Sequence, residues 1–292
     1  MRKIFVFLLS MALLFNTTFM VNADSITLPI NDIREKMISI GMSTNLVENL
    51  PDHIVEKYSN VTSENIITSY YKIVEAESDL LMTTNCEINE NILVVPITEE
   101  ECMMAIANNN IQPMGTIKES YLKLNTIASP VSGRRYVVSV SYEWLNPPFF
   151  NLTDYLALTI HETLVIIPDS EYSHTQYYET DGTIGSFTLI ENNNAIVQSG
   201  LAGHCMAVQL VPSMGSITAF SFEGYLGYEV EIAMVGDSNT VSSIVYATYA
   251  HQTLIPSLGF SIDLALNTHA SITPRVSFDY MYDTYNFTYN GD

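Results

Sequence analysis

The sequence predicts an α+β protein in which short N-terminal helices and a small α/β region precede a mainly antiparallel β-sandwich. Apolar residues recur at helical spacing soon after the N-terminus, which predicts the helices. From residue 116 onward, segments rich in Tyr, Val, Ile, Ser and Thr alternate with turn signals. Little helix-forming sequence separates those segments, and this favours antiparallel pairing over a parallel sheet. We therefore divide the chain into residues 1–23, 24–115 and 116–292.

Residues 1–23 have the pattern of a secretory signal peptide. Arg2 and Lys3 precede an apolar run over residues 4–15, and Val21 and Ala23 occupy the positions that favour cleavage before Asp24. The apolar run is short for a membrane span. We expect cleavage after Ala23, secretion, and no stable membrane anchor in the mature chain. The alternative is an uncleaved N-terminal anchor.

The charge balance excludes one class of partner. Eleven Lys and Arg residues against 32 Asp and Glu give a net charge of -21. Because nucleic-acid affinity depends on basic residues, we expect no nucleic-acid partner. Cleavage would remove two bases and leave -23. Arg275 is the only base after residue 135, against 16 acids. We expect those carboxylates to be solvated, hydrogen-bonded or bound to cations.

The second region begins with three predicted helices. Asp32 followed by Glu35 predicts a capping box for the first, and Gly41 can end it. Ser43 and Pro51 are predicted to open the second and third helices.

Two strands and a fourth helix complete the second region. Strands are predicted over residues 66–74 and 92–97, followed by a helix over residues 98–107. The three glutamates at residues 99–101 are interpreted as favourable charges at that helix N-terminus rather than a metal site.

The third region is predicted to consist of strands. Residues 121–127 and 136–142 flank a longer loop and indicate a hairpin, and Asn192–Asn194 indicates another hairpin tip. Further strands are predicted over residues 155–167, 184–190, 195–199, 207–211, 216–222, 228–234, 240–253, 259–266 and 275–280.

The chain has three cysteines, Cys86, Cys102 and Cys205. A Cys86–Cys102 disulfide would close a short loop and leave Cys205 unpaired. The alternative is that all three are reduced residues of the core. The sequence leaves both open.

Gly236–Thr240 (GDSNT) follows an apolar strand and resembles the nucleophile motif of GDS-type ester hydrolases. The resemblance implies Ser238 as nucleophile, with His251 or His269 as a distant base. The sequence departs from that family, because the motif lies late in the chain and neither histidine follows an aspartate at the family's spacing. The same residues suit a hairpin turn, which we favour.

Two other groups of residues are candidates for binding. Asp169, Glu171, Glu179 and Asp181 lie in a predicted tyrosine-rich loop and could bind Ca²⁺, although the usual spacing is absent and a solvated acidic loop is favoured. Trp144, Phe149 and Phe150 would form a stacking surface if exposed, or a corner of the core if buried. We favour burial for Trp144.

Two further motifs carry a family resemblance. Tyr142–Glu143–Trp144 with Pro148 and Asp154, and Tyr249–Ala250–His251, resemble uncharacterised secreted β-rich proteins of Gram-positive bacteria. The resemblance implies secretion and a β-rich fold, and no active site.

These observations predict a secreted, non-enzymatic protein that binds an extracellular ligand or protein and needs no cofactor. Two alternatives are a secreted serine ester hydrolase using Ser238 and an exported β protein that assembles on membranes.

Overall fold

The protein is mostly antiparallel β-structure. The computed structural model describes residues 28–75, 92–109, 119–146, 148, 152–181, 187–210, 218–233, 240–253, 261–273 and 278–291. Every strand pairing within these ranges is antiparallel. The predicted signal peptide lies outside the described residues.

The helices confirm most of the predicted starts. They are α1 (Ile30–Ser39), α2 (Thr44–Asn49), α3 (Asp52–Val55) and α4 (Glu99–Asn109), with 3-10 turns at Glu56–Tyr58 and Ser63–Asn65. Helix α1 begins before the predicted cap, because the Pro29 carbonyl already accepts the amides of Asp32 and Ile33. Before α4, Thr98 and Glu101 exchange the reciprocal hydrogen bonds of a capping box.

The larger sheet, which we call the first sheet, contains eight described strands. They are β1 (Ile66–Glu75), β2 (Ile92–Ile97), β3 (Glu119–Ser132), β4 (Arg135–Trp144), β6 (Leu164–Ile166), β7 (Tyr172–Thr180), β8 (Thr188–Asn192) and β11 (Thr218–Ile232). Their order is β2-β1-β3-β4-β11-β7-β8, and β6 also pairs with β11. Strands β1 and β2 precede residue 116, so this sheet spans the predicted boundary between the second and third regions.

The second sheet has the order β15-β12-β5-β10-β9. Its strands are β5 (Thr153–Ile160), β9 (Ile196–Gly200), β10 (Gly203–Gln209), β12 (Thr240–Gln252) and β15 (Phe278–Asn290). A small hairpin of β13 (Ser261–Asp263) and β14 (Ser271–Thr273) completes the described strands.

Three predictions of how the strands connect were wrong, and two of them concern strands that lie in different sheets. The single strand predicted over residues 155–167 is two strands in different sheets, because the chain turns at His161, whose carbonyl accepts the Leu164 amide. Strands β8 and β9 also belong to different sheets, so Asn192–Asn194 is not a hairpin tip.

Conversely, the two strands predicted around residue 225 are one continuous strand, β11. Gly224 lies within that strand, in the interval between the two predicted strands, and a Cβ there would overlap the Tyr142 ring. The glycine therefore marks a close approach to the neighbouring strand rather than a chain reversal.

Side chains from both large sheets meet in one hydrophobic core. Leu124 and Val140 contribute from the first sheet, and Leu158, Met206 and Val245 from the second. The opposite face of the first sheet is covered by the N-terminal helices. Their apolar residues form a second core that includes Met37, Leu46, Tyr58, Ile127 and Tyr225.

Candidate functional site

The outward face of β12 and β15 carries no charged side chain. Side chains alternate between the faces of a strand, and odd-numbered residues such as Val245 and Met281 point into the shared core. The even-numbered residues therefore face outward. We call the following residues the neutral strip: Thr240, Ser242, Ile244 and Tyr246 of β12, with Tyr282, Thr284, Asn286, Thr288 and Asn290 of β15.

The neutral strip is long and unlike the chain as a whole. From Tyr282 to Asn290 it extends about 26 Å, at the rise of an extended strand. It presents hydroxyl and amide groups, whereas the chain has a net charge of -21. The aspartates of β15, Asp279 and Asp283, have odd numbers and face the opposite side, where Asp283 is buried.

Two tyrosines and a histidine form the aromatic end of the neutral strip. His269, from the segment between β13 and β14, lies between Tyr246 and Tyr282, with ring centroids 5.3 Å and 4.6 Å away. The Tyr282 ring stacks on Tyr280 at 5.6 Å and is 37% exposed. Tyrosines that present apolar rings and polar hydroxyls are suited to ligands of mixed polarity.

Hydrogen bonds fix His269 in this position. Its Nδ1 donates to the Ala247 carbonyl at 3.0 Å, and its Nε2 accepts from the Thr284 hydroxyl at 3.1 Å. Burial lowers the pKa of the imidazole, which favours this neutral form. Both nitrogens are engaged by β12 and β15, so the geometry does not support His269 as the base of a hydrolase.

His251 belongs to a different, fully buried network. Its Nδ1 donates to Asp154 Oδ2 at 2.9 Å, and both residues are 0% exposed. The same carboxylate accepts the Tyr249 hydroxyl at 2.7 Å and the Gln252 amide at 2.8 Å. The Tyr249 oxygen in turn accepts the Trp144 indole N–H at 2.8 Å. This network ties β4, β5 and β12 together.

The burial of Trp144 removes one member of the stacking surface considered from the sequence. The indole is 3% exposed and packs against the rings of Tyr249 and His251. The indole can be buried in the core because its N–H donates to the Tyr249 hydroxyl and is not left unsatisfied. Phe149 and Phe150 lie outside the described residues.

The described strand gives no support for pairing His251 with the GDSNT motif. Ser238 itself lies outside the described residues. Thr240, two residues later, begins β12, and His251 is near the other end. Thr240 and His251 are eleven positions apart on a continuous strand, a distance of about 36 Å.

The acidic, tyrosine-rich loop predicted here is wrong, because most of it is strand β7. Asp169 and Glu171 precede the strand, while Glu179 and Asp181 lie at its far end. Glu171 and Glu179 are eight positions apart along extended chain, about 26 Å, which is beyond the span of one cation site and does not support the weaker calcium alternative. Across the described part of the chain, no three His, Cys, Asp or Glu side chains are grouped to hold a metal ion.

The acids after residue 135 have more basic partners than expected. Bases from earlier in the chain lie beside β4 and β11 and form three ion pairs: Lys57–Glu229 at 2.9 Å, Lys123–Glu143 at 3.4 Å and Arg134–Glu231 at 3.2 Å. Ion pairing therefore adds to the solvation and hydrogen bonding predicted from the sequence.

The described cysteines are buried. Cys205 packs beneath the β13–β14 hairpin, and burial raises the pKa of its thiol to about 12. Such a thiol is a poor nucleophile at neutral pH. Cys102 of α4 is buried in a small cluster with Tyr70 and Tyr121, and burial and Glu99 raise its pKa to about 11. Cys86 lies outside the described residues, so the disulfide prediction stays open.

A buried glutamate joins the helices to the first sheet. Glu223 of β11 is 1% exposed and accepts hydrogen bonds from Ser43, Asn45 and Ser221. Ser221 has a left-handed backbone conformation, φ 57°, at a bulge in β11. Burial raises the pKa of Glu223, and Glu143 on the next strand adds to the increase.

We expect Glu223→Gln to stabilise the protein at alkaline pH. Because the carboxyl pKa is raised by folding, ionisation of Glu223 costs native stability as pH rises through the folded-state pKa. Glutamine keeps the shape without the charge, so the free energy of unfolding should rise by roughly 1 kcal/mol near pH 8. The gain should shrink toward acid pH, where the wild-type carboxyl is neutral.

Urea unfolding measured across the pH range checks this expectation. Glu231→Gln, at a half-exposed position on the same strand, is the matched control and should change stability by less than about 0.5 kcal/mol. A gain for Glu223→Gln that is constant with pH would contradict the account.

Neither the protein-family models nor the curated proteins compared with this chain match it. Among the described residues, no helix is both long enough and apolar enough to cross a membrane. The described residues form an antiparallel β-protein with a long uncharged face on β12 and β15.

Proposed function

We propose that this is an exported, non-enzymatic binding protein whose two large sheets form a β-sandwich. In this proposal the neutral strip binds an uncharged polysaccharide. The signal-peptide pattern of residues 1–23 supports the proposal of export. The core shared by both sheets supports the proposal of a sandwich.

The single observation that carries the ligand proposal is the composition of the neutral strip. Its hydroxyl and amide groups can donate to and accept from sugar hydroxyls, and the Tyr246–Tyr282 pair can stack on the apolar faces of sugar rings. A chain with a net charge of -21 repels polyanions. A long and uncharged face therefore suits a neutral linear polymer.

The proposal is tested by titrating the purified protein with a soluble neutral glucan and with the same glucan after carboxymethylation. We expect saturable binding of the neutral polymer with a Kd of roughly 1 mM or lower. The carboxymethylated polymer should bind at least about tenfold more weakly at low salt, because its charge adds repulsion.

Two results would contradict the proposal. One is equal binding of both polymers, which would mean that the uncharged neutral strip does not discriminate between neutral and anionic polymers. The other is absence of binding to glucan, mannan and galactan alike at millimolar sugar concentration. A mature N-terminus at Asp24 in exported material would separately support the signal-peptide assignment.

A further inference from the structure

We propose that His269 is the positioning residue of the neutral strip, and that protonation of its imidazole releases the Tyr246–Tyr282 pair and weakens ligand binding. This inference rests on the proposed function for its effect on binding. Its effect on the two tyrosine rings is independent of any ligand.

The His269 imidazole lies between two tyrosine rings of neighbouring strands. Tyr246 and Tyr282 lie on neighbouring strands, at positions that are not directly opposite, since Tyr246 pairs with Thr284 and Tyr282 with Thr248. The imidazole fills the space between the two rings and contacts both, at interplanar angles of 78° and 48°. The orientation of each ring therefore depends on an imidazole supplied by a separate segment of chain.

Two hydrogen bonds hold the His269 imidazole and fix the position of its proton. The Ala247 carbonyl requires an N–H at Nδ1, and the Thr284 hydroxyl donates to the lone pair at Nε2. Only the neutral ring with its proton on Nδ1 satisfies both bonds as they stand. A proton added at Nε2 forces the hydroxyl to reverse and places a charge in a half-buried site.

The side chains of β12 and β15 that face the His269 ring are uncharged. The facing side chains of β12 are Tyr246 and Thr248, and those of β15 are Tyr282 and Thr284, so the titratable groups among them are phenols. On its own hairpin, the acidic residue Asp263 lies opposite Ser271 in the strand pairing. The other acidic residue near this segment is Glu162, in the turn after β5, whose backbone amide donates to Asn267 Oδ1. The packing therefore favours the neutral ring, and protonation favours a ring turned toward water.

The experiment compares wild type, His269→Asn and the control His53→Asn at about pH 7.5 and about pH 5, with a titration of wild type between these values. Asparagine retains a donor that can reach the Ala247 carbonyl and cannot titrate. His53 makes an edge contact with Tyr172 at 6.2 Å, away from the neutral strip, so it tests the same substitution beside another tyrosine. Two readouts are taken: neutral-glucan affinity, and the aromatic NMR shifts of Tyr246 and Tyr282.

In wild type, we expect glucan affinity to fall about fivefold once His269 is protonated, as loss of one ring contact of about 1 kcal/mol predicts. The shifts of both tyrosines should change with the same midpoint as His269. His269→Asn should bind several-fold more weakly at the higher pH and show no further change. His53→Asn should behave as wild type.

Tyrosine shifts that stay constant while His269 titrates would overturn the positioning role. Tyrosine shifts that follow His269 without a matching change in affinity would overturn the control of binding. If no polysaccharide binds at either pH but the tyrosine shifts follow His269, the proposed function fails and the positioning role stands.

Discussion

The double substitution Tyr246→Ala and Tyr282→Ala is expected to weaken neutral-glucan binding by about thirtyfold or more. Each aromatic stacking contact contributes about 1 kcal/mol, and the truncation removes both rings of the pair. The remaining hydroxyl and amide groups of the neutral strip would leave residual affinity. Calorimetric titration at about pH 7.5 measures the change.

The control is Tyr178→Ala, the same substitution on β7 of the first sheet, where the ring stacks on Phe220 at 6.0 Å. It should leave affinity unchanged within about twofold. Tyr282→Phe keeps the ring and should retain most of the binding. Equal losses for the double substitution and Tyr178→Ala would show that the neutral strip is not the binding surface.

The second large effect concerns stability. Asp154→Ala is expected to lower the free energy of unfolding by about 3–5 kcal/mol, because it leaves three buried donors without their acceptor. Those donors are the Tyr249 hydroxyl, the His251 Nδ1–H and the Gln252 amide. Urea unfolding of the purified variant measures the change.

Asp263→Ala, at an exposed position of β13, is the matched control and should change the free energy of unfolding by less than about 0.5 kcal/mol. Asp154→Asn, which keeps one acceptor oxygen, should fall between the two. A loss below about 1 kcal/mol for Asp154→Ala would mean that the network does not hold β4, β5 and β12 together.

Local patterns were sufficient to predict the helices and the first strands. Pro51 preceded a helix whose inward residues Ile54 and Val55 are buried, and β2 covers the predicted residues 92–97. These features depend on residues close in sequence. Secondary structure of this kind can be predicted from the sequence because helix capping and apolar spacing depend on residues only a few positions apart.

Strand β7 could not be predicted in the same way. Its three buried residues, Ser173, His174 and Gln176, are all polar, and the His174 imidazole is hydrogen-bonded to Gln176. Without alternating apolar residues, the segment resembled an acidic loop. The strand exists because β11 and β8 provide its hydrogen-bonding partners on both sides.

The candidate site also depended on contacts distant in sequence. Asp154 and His251 are 97 positions apart and meet because β5 pairs with β12. Residues of β15 after Tyr280 were not predicted as strand, so the outward position of Tyr282 could not be inferred. One available clue was the run of tyrosine, threonine and asparagine without any base near the C-terminus.

The most direct test of the neutral strip is to map the backbone amide shifts of the labelled protein during titration with a neutral oligosaccharide. The account predicts that the largest changes fall on β12, β15 and His269, and that the N-terminal helices and β7 change little. Changes concentrated on the first sheet or the helices, with β12 and β15 unaffected, would contradict it.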